Sequence, residues 1–123
     1  MALPNTNSDM QHLQHVEQIA KEDAEATLAG EAKYEASWKR RGGVDSFMML
    51  ARKWDRIETR VGKDRFLNHR VDRWNILQHL EVDPEPTGLI DDIRDLRRYL
   101  ILVESELRAR GVHLAATVVP KEE

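Results

Sequence analysis

The chain has 123 residues, of which 19 are Lys or Arg and 22 are Asp or Glu, so its formal net charge is −3. This length is typical of one domain, the absence of cysteine excludes disulfides and thiolate chemistry, and no apolar run approaches the roughly 18 residues of a membrane span. The charge is uneven: residues 37–73 carry 11 bases and 5 acids between acidic flanks, which predicts a compact anionic partner rather than a long nucleic acid.

Two helical segments are predicted before the basic region. Residues 1–8 have the polar composition of a loose N-terminus, and apolar residues at spacings of three and four predict a helix over about 9–28. A further helical segment, Glu31–Lys39, would place Tyr34 and Trp38 together at i,i+4.

An Arg-Arg-Gly-Gly break precedes the next predicted helix, for which Asp45 or Ser46 is the candidate N-cap and Gly62 the end. Its apolar stripe, which we expect to face the core, consists of Phe47, Leu50, Ala51, Trp54, Ile57 and Val61. Glu58 falls inside this stripe. The pattern therefore predicts a buried carboxylate, which requires a charged, hydrogen-bonded or metal partner.

The last helix has the most regular pattern in the chain. Residues 63–83 predict one or two short helices, and a Pro-rich break at 83–88 follows. Three–four spacing then runs through Leu89, Ile93, Leu96, Leu100, Val103 and Leu107, with Gly111 as the terminating glycine. The tail, 112–123, would cover its own bundle or pack on a neighbouring subunit. Together these elements predict a single all-α domain over 1–123, a compact bundle of four to six helices.

The turn after Trp38 is the first candidate site. Lys39, Arg40 and Arg41 stand beside a diglycine and just before a helix N-terminus, an arrangement that suits phosphate binding. Tyr34 and Trp38 can stack on a nucleotide base. The alternative interpretation is that Trp38 anchors the core and the three bases form a solvated turn.

Two acid pairs on separate helices form the second candidate site. Asp55 and Glu58 are three residues apart, and so are Asp92 and Asp95. Facing helices that each present such a pair can hold Mg²⁺ between them, because this cation prefers oxygen ligands. The alternative is that these acids pair with arginines, for example Asp95 with Arg98 at i+3.

Three motifs together resemble the phage-encoded nucleotide-modification-associated domain 1 family over roughly residues 31–104. They are Tyr-x-x-Ser-Trp at Tyr34–Trp38, Lys-x-x-Arg-Ile at Lys53–Ile57, and Asp-x-x-Asp…Tyr at Asp92, Asp95 and Tyr99. That family is similar in layout to the MazG-like all-α nucleoside triphosphate pyrophosphatases, which are oligomeric and bind Mg²⁺. The resemblance implies a phage setting, the host cytoplasm, a homo-oligomer and a phosphorylated nucleotide ligand.

Binding without turnover is the primary hypothesis, because the Glu-Glu-x-x-Glu cluster of the pyrophosphatases is reduced to two acids at Asp55–Glu58. The ligand would be a nucleotide, cyclic signalling nucleotides included. Its contacts would come from Tyr34, Trp38, Lys39, Arg40, Arg41, Lys53, Arg56 and Tyr99. The alternative is a Mg²⁺-dependent pyrophosphatase that uses the four acids, and the third hypothesis is a protein–protein adaptor. No cofactor is expected except Mg²⁺ in the enzyme, and no membrane partner.

Overall fold

The computed structural model describes residues 8–62, 74–82 and 85–112. These residues form four α-helices: α1 Val16–Tyr34, α2 Gly43–Gly62, α3 Ile76–Val82 and α4 Pro86–Ala109. Short 3-10 segments at Ser8–His15 and Ser37–Lys39 precede α1 and α2. No strand occurs in these ranges, so the predicted all-α class is confirmed for the described part of the chain.

The connection between α1 and α2 differs from the prediction. A continuous helix over 31–39 is wrong, because the two residues after Tyr34 have left-handed backbone with φ of 50° and 60°. The side chain of Glu31 stabilises this turn, since its Oε2 accepts the backbone N–H of Ala36 at 2.8 Å. Trp38 consequently lies on the 3-10 segment and not on the helix that carries Tyr34.

The start of α2 is tied to that 3-10 segment. The helix begins at Gly43, before both predicted N-caps, Asp45 and Ser46. Ser46 is buried, and its Oγ lies 3.0 Å from the carbonyl oxygen of Trp38 and 3.2 Å from that of Gly42. Its hydroxyl donates to these carbonyls, so it joins the Trp38 turn to the first turn of α2.

The core lies between α2 and α4, which pack antiparallel. Lys39, just before α2, pairs with Glu106 near the end of α4, while Arg60 near the end of α2 pairs with Asp92 near the start of α4. The buried apolar residues are Ile57, Val61 and Leu89, against which Ile76, Ile93 and Leu96 pack.

The predicted core-facing stripe of α2 is confirmed at Ile57 and Val61, which are buried, and is wrong toward the start of the helix. Phe47 and Trp54 are 66% and 51% exposed, and Glu58 is exposed rather than buried. The helix instead turns Ile57 toward α4, a direction about 80° from Phe47 at 100° per residue. Lys53 lies on the same side as Ile57 and forms an ion pair with α4. Charge pairing and apolar burial thus act together to select this face.

The last predicted helix is confirmed. α4 starts with Pro86 in its first turn, and Gly111, with φ of 94°, lies just beyond its end. No helix in the three described ranges is long and apolar enough to span a membrane. The predicted N-terminus (1–8) and tail (112–123) lie outside the described residues except for Ser8 and Val112, and the predicted short helices are described only over 74–82.

Candidate functional site

A pocket of about 280 Å³ opens between α1, the 3-10 segment Ser37–Lys39 and α4. Each of the three elements contributes one aromatic side chain: Tyr34, Trp38 and Tyr99. We call this the aromatic pocket. Tyr34 and Trp38, the predicted stacking pair, therefore share this pocket with Tyr99, which lies 65 positions after Tyr34 in the sequence.

Two of the residues of α1 that line this pocket each carry a side-chain oxygen without a hydrogen-bond partner. Thr27 Oγ1 and Glu31 Oε1 are shielded from solvent and have no hydrogen-bond partner. The other carboxylate oxygen of Glu31 is the one that accepts the Ala36 N–H. Buried polar atoms are nearly always hydrogen-bonded in folded proteins, so this pair stands out.

A second pocket, of about 280 Å³, is lined by Arg40, Arg41, Arg52, Ser37, Asp45 and Met49. We call this the basic pocket, since three guanidinium groups face one carboxylate. Ser37 lines both pockets, which makes them neighbours. The structure thus brings together the predicted phosphate contacts Arg40 and Arg41, and Arg40 also donates to the carbonyl oxygen of Glu35 at 3.2 Å.

Arg52 is not among the residues predicted for the site. It reaches the basic pocket because Asp45, Met49 and Arg52 follow one another at spacings of four and three along one face of α2. That spacing is readable from the sequence, but only the structure shows that this face adjoins the Arg40–Arg41 turn.

Lys53 lies outside the basic pocket, although it is predicted to contact phosphate. Its Nζ is 3.3 Å from Asp95 Oδ2 and 5.6 Å from the centre of the Tyr99 ring. Burial, and after it the negative charges of Asp95 and Glu31, raise the pKa of the Tyr99 hydroxyl. Tyr99 is therefore neutral at physiological pH, and Lys53 is the counter-ion of Asp95, which lines the aromatic pocket.

The four acids of the predicted metal site do not assemble. Asp92 Oδ2 accepts a hydrogen bond from Arg60 Nε at 2.6 Å, Asp95 pairs with Lys53, and Asp55 and Glu58 are exposed. Within residues 8–62, 74–82 and 85–112, no three His, Asp or Glu side chains are grouped so that they could hold a metal ion. Asp92 and Asp95 therefore pair with bases, as in the alternative interpretation, but their partners Arg60 and Lys53 lie on another helix.

Asp23, the most buried carboxylate among the described residues, is missing from the sequence predictions. It is 2% exposed on α1, and Arg97 and Arg98 of α4 both donate to it. The hydrogen bond from Arg97 lowers the pKa of Asp23, with Arg98 acting in the same direction and burial opposing both. The sequence does contain a signal for this face of α1. Polar residues recur at i, i+4 and i+8 of an Ala-rich helix, at Asp23, Thr27 and Glu31.

Lys39 and Arg56, the remaining predicted contacts, lie outside both pockets. Lys39 Nζ pairs with Glu106 at 2.5 Å, and Arg110 reaches the same carboxylate at 2.7 Å. Hydrogen bonds from Lys39 and then from Arg110 lower the pKa of Glu106. Arg56 is exposed on α2.

A third cavity, of about 350 Å³, lies on the far side of Trp38. Phe47, Leu50, Val103 and Leu107 are among the residues that line it. Its lining joins the exposed apolar sides of α2 and α4. We call this surface the apolar face.

Comparison with known proteins adds no assignment. The family resemblance of the three motifs stays a prediction. The chain matches no protein-family model, and neither a curated protein nor a solved structure is significantly similar to it.

Proposed function

We propose that this protein binds a phosphorylated nucleotide and does not turn it over. The base would occupy the aromatic pocket and the phosphate the basic pocket. The observation that carries this proposal is the adjacency of the two pockets, which share Ser37. An aromatic compartment beside a cluster of guanidinium groups is complementary to a molecule that is flat at one end and anionic at the other.

The aromatic pocket suits a heterocyclic base. Three aromatic rings from three elements surround a space of about 280 Å³, near the lower end of the range for small-molecule sites. Stacking of one base on an aromatic side chain contributes roughly 1–3 kcal/mol. Stacking alone does not distinguish bases, so any selectivity depends on the polar groups of the wall.

The basic pocket suits phosphate. Arg40, Arg41 and Arg52 outweigh Asp45 by two positive charges. Arginine binds phosphate through paired N–H groups, and Asp45 places this pocket at the first turn of α2. The fixed dipole of α2 adds to the side-chain charge there.

The described residues favour binding over hydrolysis. Asp92 and Asp95 already have the cationic partners Arg60 and Lys53, and Asp55 and Glu58 lie on another side of α2. A pyrophosphatase needs carboxylates that are free to hold Mg²⁺ near the phosphates. The Mg²⁺-dependent enzyme stays the alternative. Incubation with nucleoside triphosphates and Mg²⁺ tests it: intact recovery supports binding alone, and release of pyrophosphate supports the enzyme.

Self-association is part of the proposal. Phe47 and Trp54 on α2, with Leu100 and Leu107 on α4, are all more than two-fifths exposed. A second copy that packs on this apolar face would extend the antiparallel helix pair into a four-helix arrangement. The adaptor hypothesis uses the same face for a different protein, so the mass in solution distinguishes the two.

Matched arginine variants test the nucleotide proposal by calorimetry. Arg52→Ala should weaken binding of a nucleoside monophosphate about tenfold or more, as expected for a lost hydrogen bond to a charged group. Binding of the corresponding nucleoside should not change, and the difference should shrink as salt is raised. Arg56→Ala, on the same helix but outside both pockets, is the control and should behave as the unmodified protein. Equal effects of the two variants would contradict the assignment of phosphate to the basic pocket.

A further inference from the structure

The unpaired oxygens of Thr27 and Glu31 set a chemical requirement on whatever fills the aromatic pocket. Both atoms are shielded from solvent and have no partner, which is unfavourable for any buried polar atom. Their residues are four apart on α1 and both line the pocket. The two residues therefore belong to one stretch of the pocket wall.

The orientation of the Glu31 carboxylate is determined by the turn that follows α1. Its Oε2 is held by the N–H of Ala36 at 2.8 Å, so Oε1 is the atom left over. Arg98, the cation in the lining of this pocket, is engaged by Asp23 through its Nε at 2.9 Å. Among the described residues no group donates to Oε1, and the atom is shielded from solvent, so the remaining source of a donor is a ligand that reaches this atom on entering the pocket.

The chemistry of the two oxygens specifies that donor. An ionised carboxylate only accepts hydrogen bonds, whereas the Thr27 hydroxyl accepts or donates. An exocyclic amino group on a base offers two N–H donors in the plane of the ring, and the adjacent ring nitrogen is a donor or an acceptor. A base with a carbonyl in place of the amino group turns lone pairs toward Glu31 Oε1 and keeps only its ring N–H as a donor at that edge.

Resting on the proposed function, we propose that the aromatic pocket selects bases with an exocyclic amino group, which donates to Glu31 Oε1. Thr27 Oγ1 completes the contact by accepting the second N–H or donating to the ring nitrogen. Adenine, cytosine and guanine meet this requirement, and uracil and hypoxanthine do not. The site would thus bind selectively those nucleotides whose base carries an amino group.

Matched pairs of ligands test this selectivity on the unmodified chain. Adenosine monophosphate against inosine monophosphate, and cytidine against uridine monophosphate, each exchange an amino group for a carbonyl. We expect the amino member to bind about 10- to 100-fold more tightly in both pairs, the range for a hydrogen bond to a charged group. These titrations need no variant, so they stay informative even if a substitution impairs folding.

Glu31→Gln assigns the selectivity to this residue. The glutamine carbonyl can still accept the Ala36 N–H, which leaves its amide –NH₂ in the place of Oε1. The preference for the amino member should then disappear or reverse. Glu25→Gln, an exposed position on the same helix, is the control and should keep the full preference.

The outcomes separate this inference from the proposed function. Equal affinities within each pair, or a preference that survives in Glu31→Gln, would overturn the inference and leave nucleotide binding standing. Absence of binding by all four monophosphates would overturn both. Amino preference in the unmodified protein and its loss in Glu31→Gln alone would support both.

Discussion

Replacing Asp23 by Asn should destabilise the protein more than any other single acid-to-amide change among the described residues. Asp23 accepts three hydrogen bonds from Arg97 and Arg98 and thereby joins α1 to α4. Asparagine keeps the size of the side chain but removes its charge and turns an N–H group toward a guanidinium. Two partly buried cations would then lack their counter-ion.

The expected cost follows from burial. Removing one partner of a buried ion pair costs roughly 3–5 kcal/mol, because the other charge is left uncompensated. The Arg97 and Arg98 side chains are 35% and 25% exposed, so water solvates them in part once Asp23 is neutral. We therefore expect a loss of about 2–3 kcal/mol in the free energy of unfolding, or about 10 °C in Tm for a domain of this size.

The effect should also depend on pH. The pKa of Asp23 is lowered in the folded protein, first by the Arg97 hydrogen bond, below the unfolded value near 3.8. The folded state thus binds this proton less readily than the unfolded chain. The stabilising contribution is complete above about pH 5 and is lost as pH falls through the lowered pKa, so stability rises with pH in this window.

Urea unfolding of the unmodified protein, Asp23→Asn and a control measures this contribution. The control is Asp91→Asn, which breaks a surface pair with Arg94 on α4 and should cost less than about 1 kcal/mol. The difference between Asp23→Asn and the unmodified protein should be constant from pH 5 to 8 and shrink below pH 4. A loss at pH 7 no larger than that of Asp91→Asn would show that the pairing of Asp23 with the two arginines does not stabilise the fold.

Two further predictions concern packing and association. Gly62→Ala should lower the free energy of unfolding by roughly 1–3 kcal/mol, since a Cβ there would lie 2.2 Å from Cη2 of Trp74; an unchanged urea midpoint would contradict this contact. Phe47→Lys should shift the protein toward a smaller mass in light scattering, because it places a charge on the apolar face. Arg56→Lys, which keeps the charge, is the control and should not change the mass. An unchanged mass for Phe47→Lys would show that this face does not mediate self-association.

Local periodicity was sufficient for α4 and insufficient for the orientation of α2. The last helix has regular apolar spacing bounded by Pro86 and Gly111, so its length and limits follow from local sequence. On α2 the spacing includes Phe47 and Trp54, yet the side that packs is the one on which Lys53 can pair with an acid of α4. Hydrophobic periodicity cannot predict this ion pair, because Asp95 lies 42 residues after Lys53 in the sequence.

The candidate site shows the same division between local and distant information. Arg40 and Arg41 are adjacent to Trp38 in the chain, and this proximity is why the turn stands out in the sequence. Arg52 joins them only through the placement of one face of α2, and Asp23 finds its partners 74 and 75 residues later. Single-sequence reasoning identifies clusters along the chain, whereas these contacts arise from helix packing.

In the proposed complex, the base is bound at Trp38 and the phosphate is bound beside it, at the arginines of the basic pocket. The indole N–H resonances of Trp38 and Trp54, assigned with Trp→Phe variants, test it directly during titration with adenosine monophosphate. We expect a saturable shift of the Trp38 resonance and no shift of the Trp54 resonance, and adenosine alone should require a much higher concentration. A Trp38 resonance that stays in place at saturating nucleotide, or one that responds equally to adenosine, would contradict it.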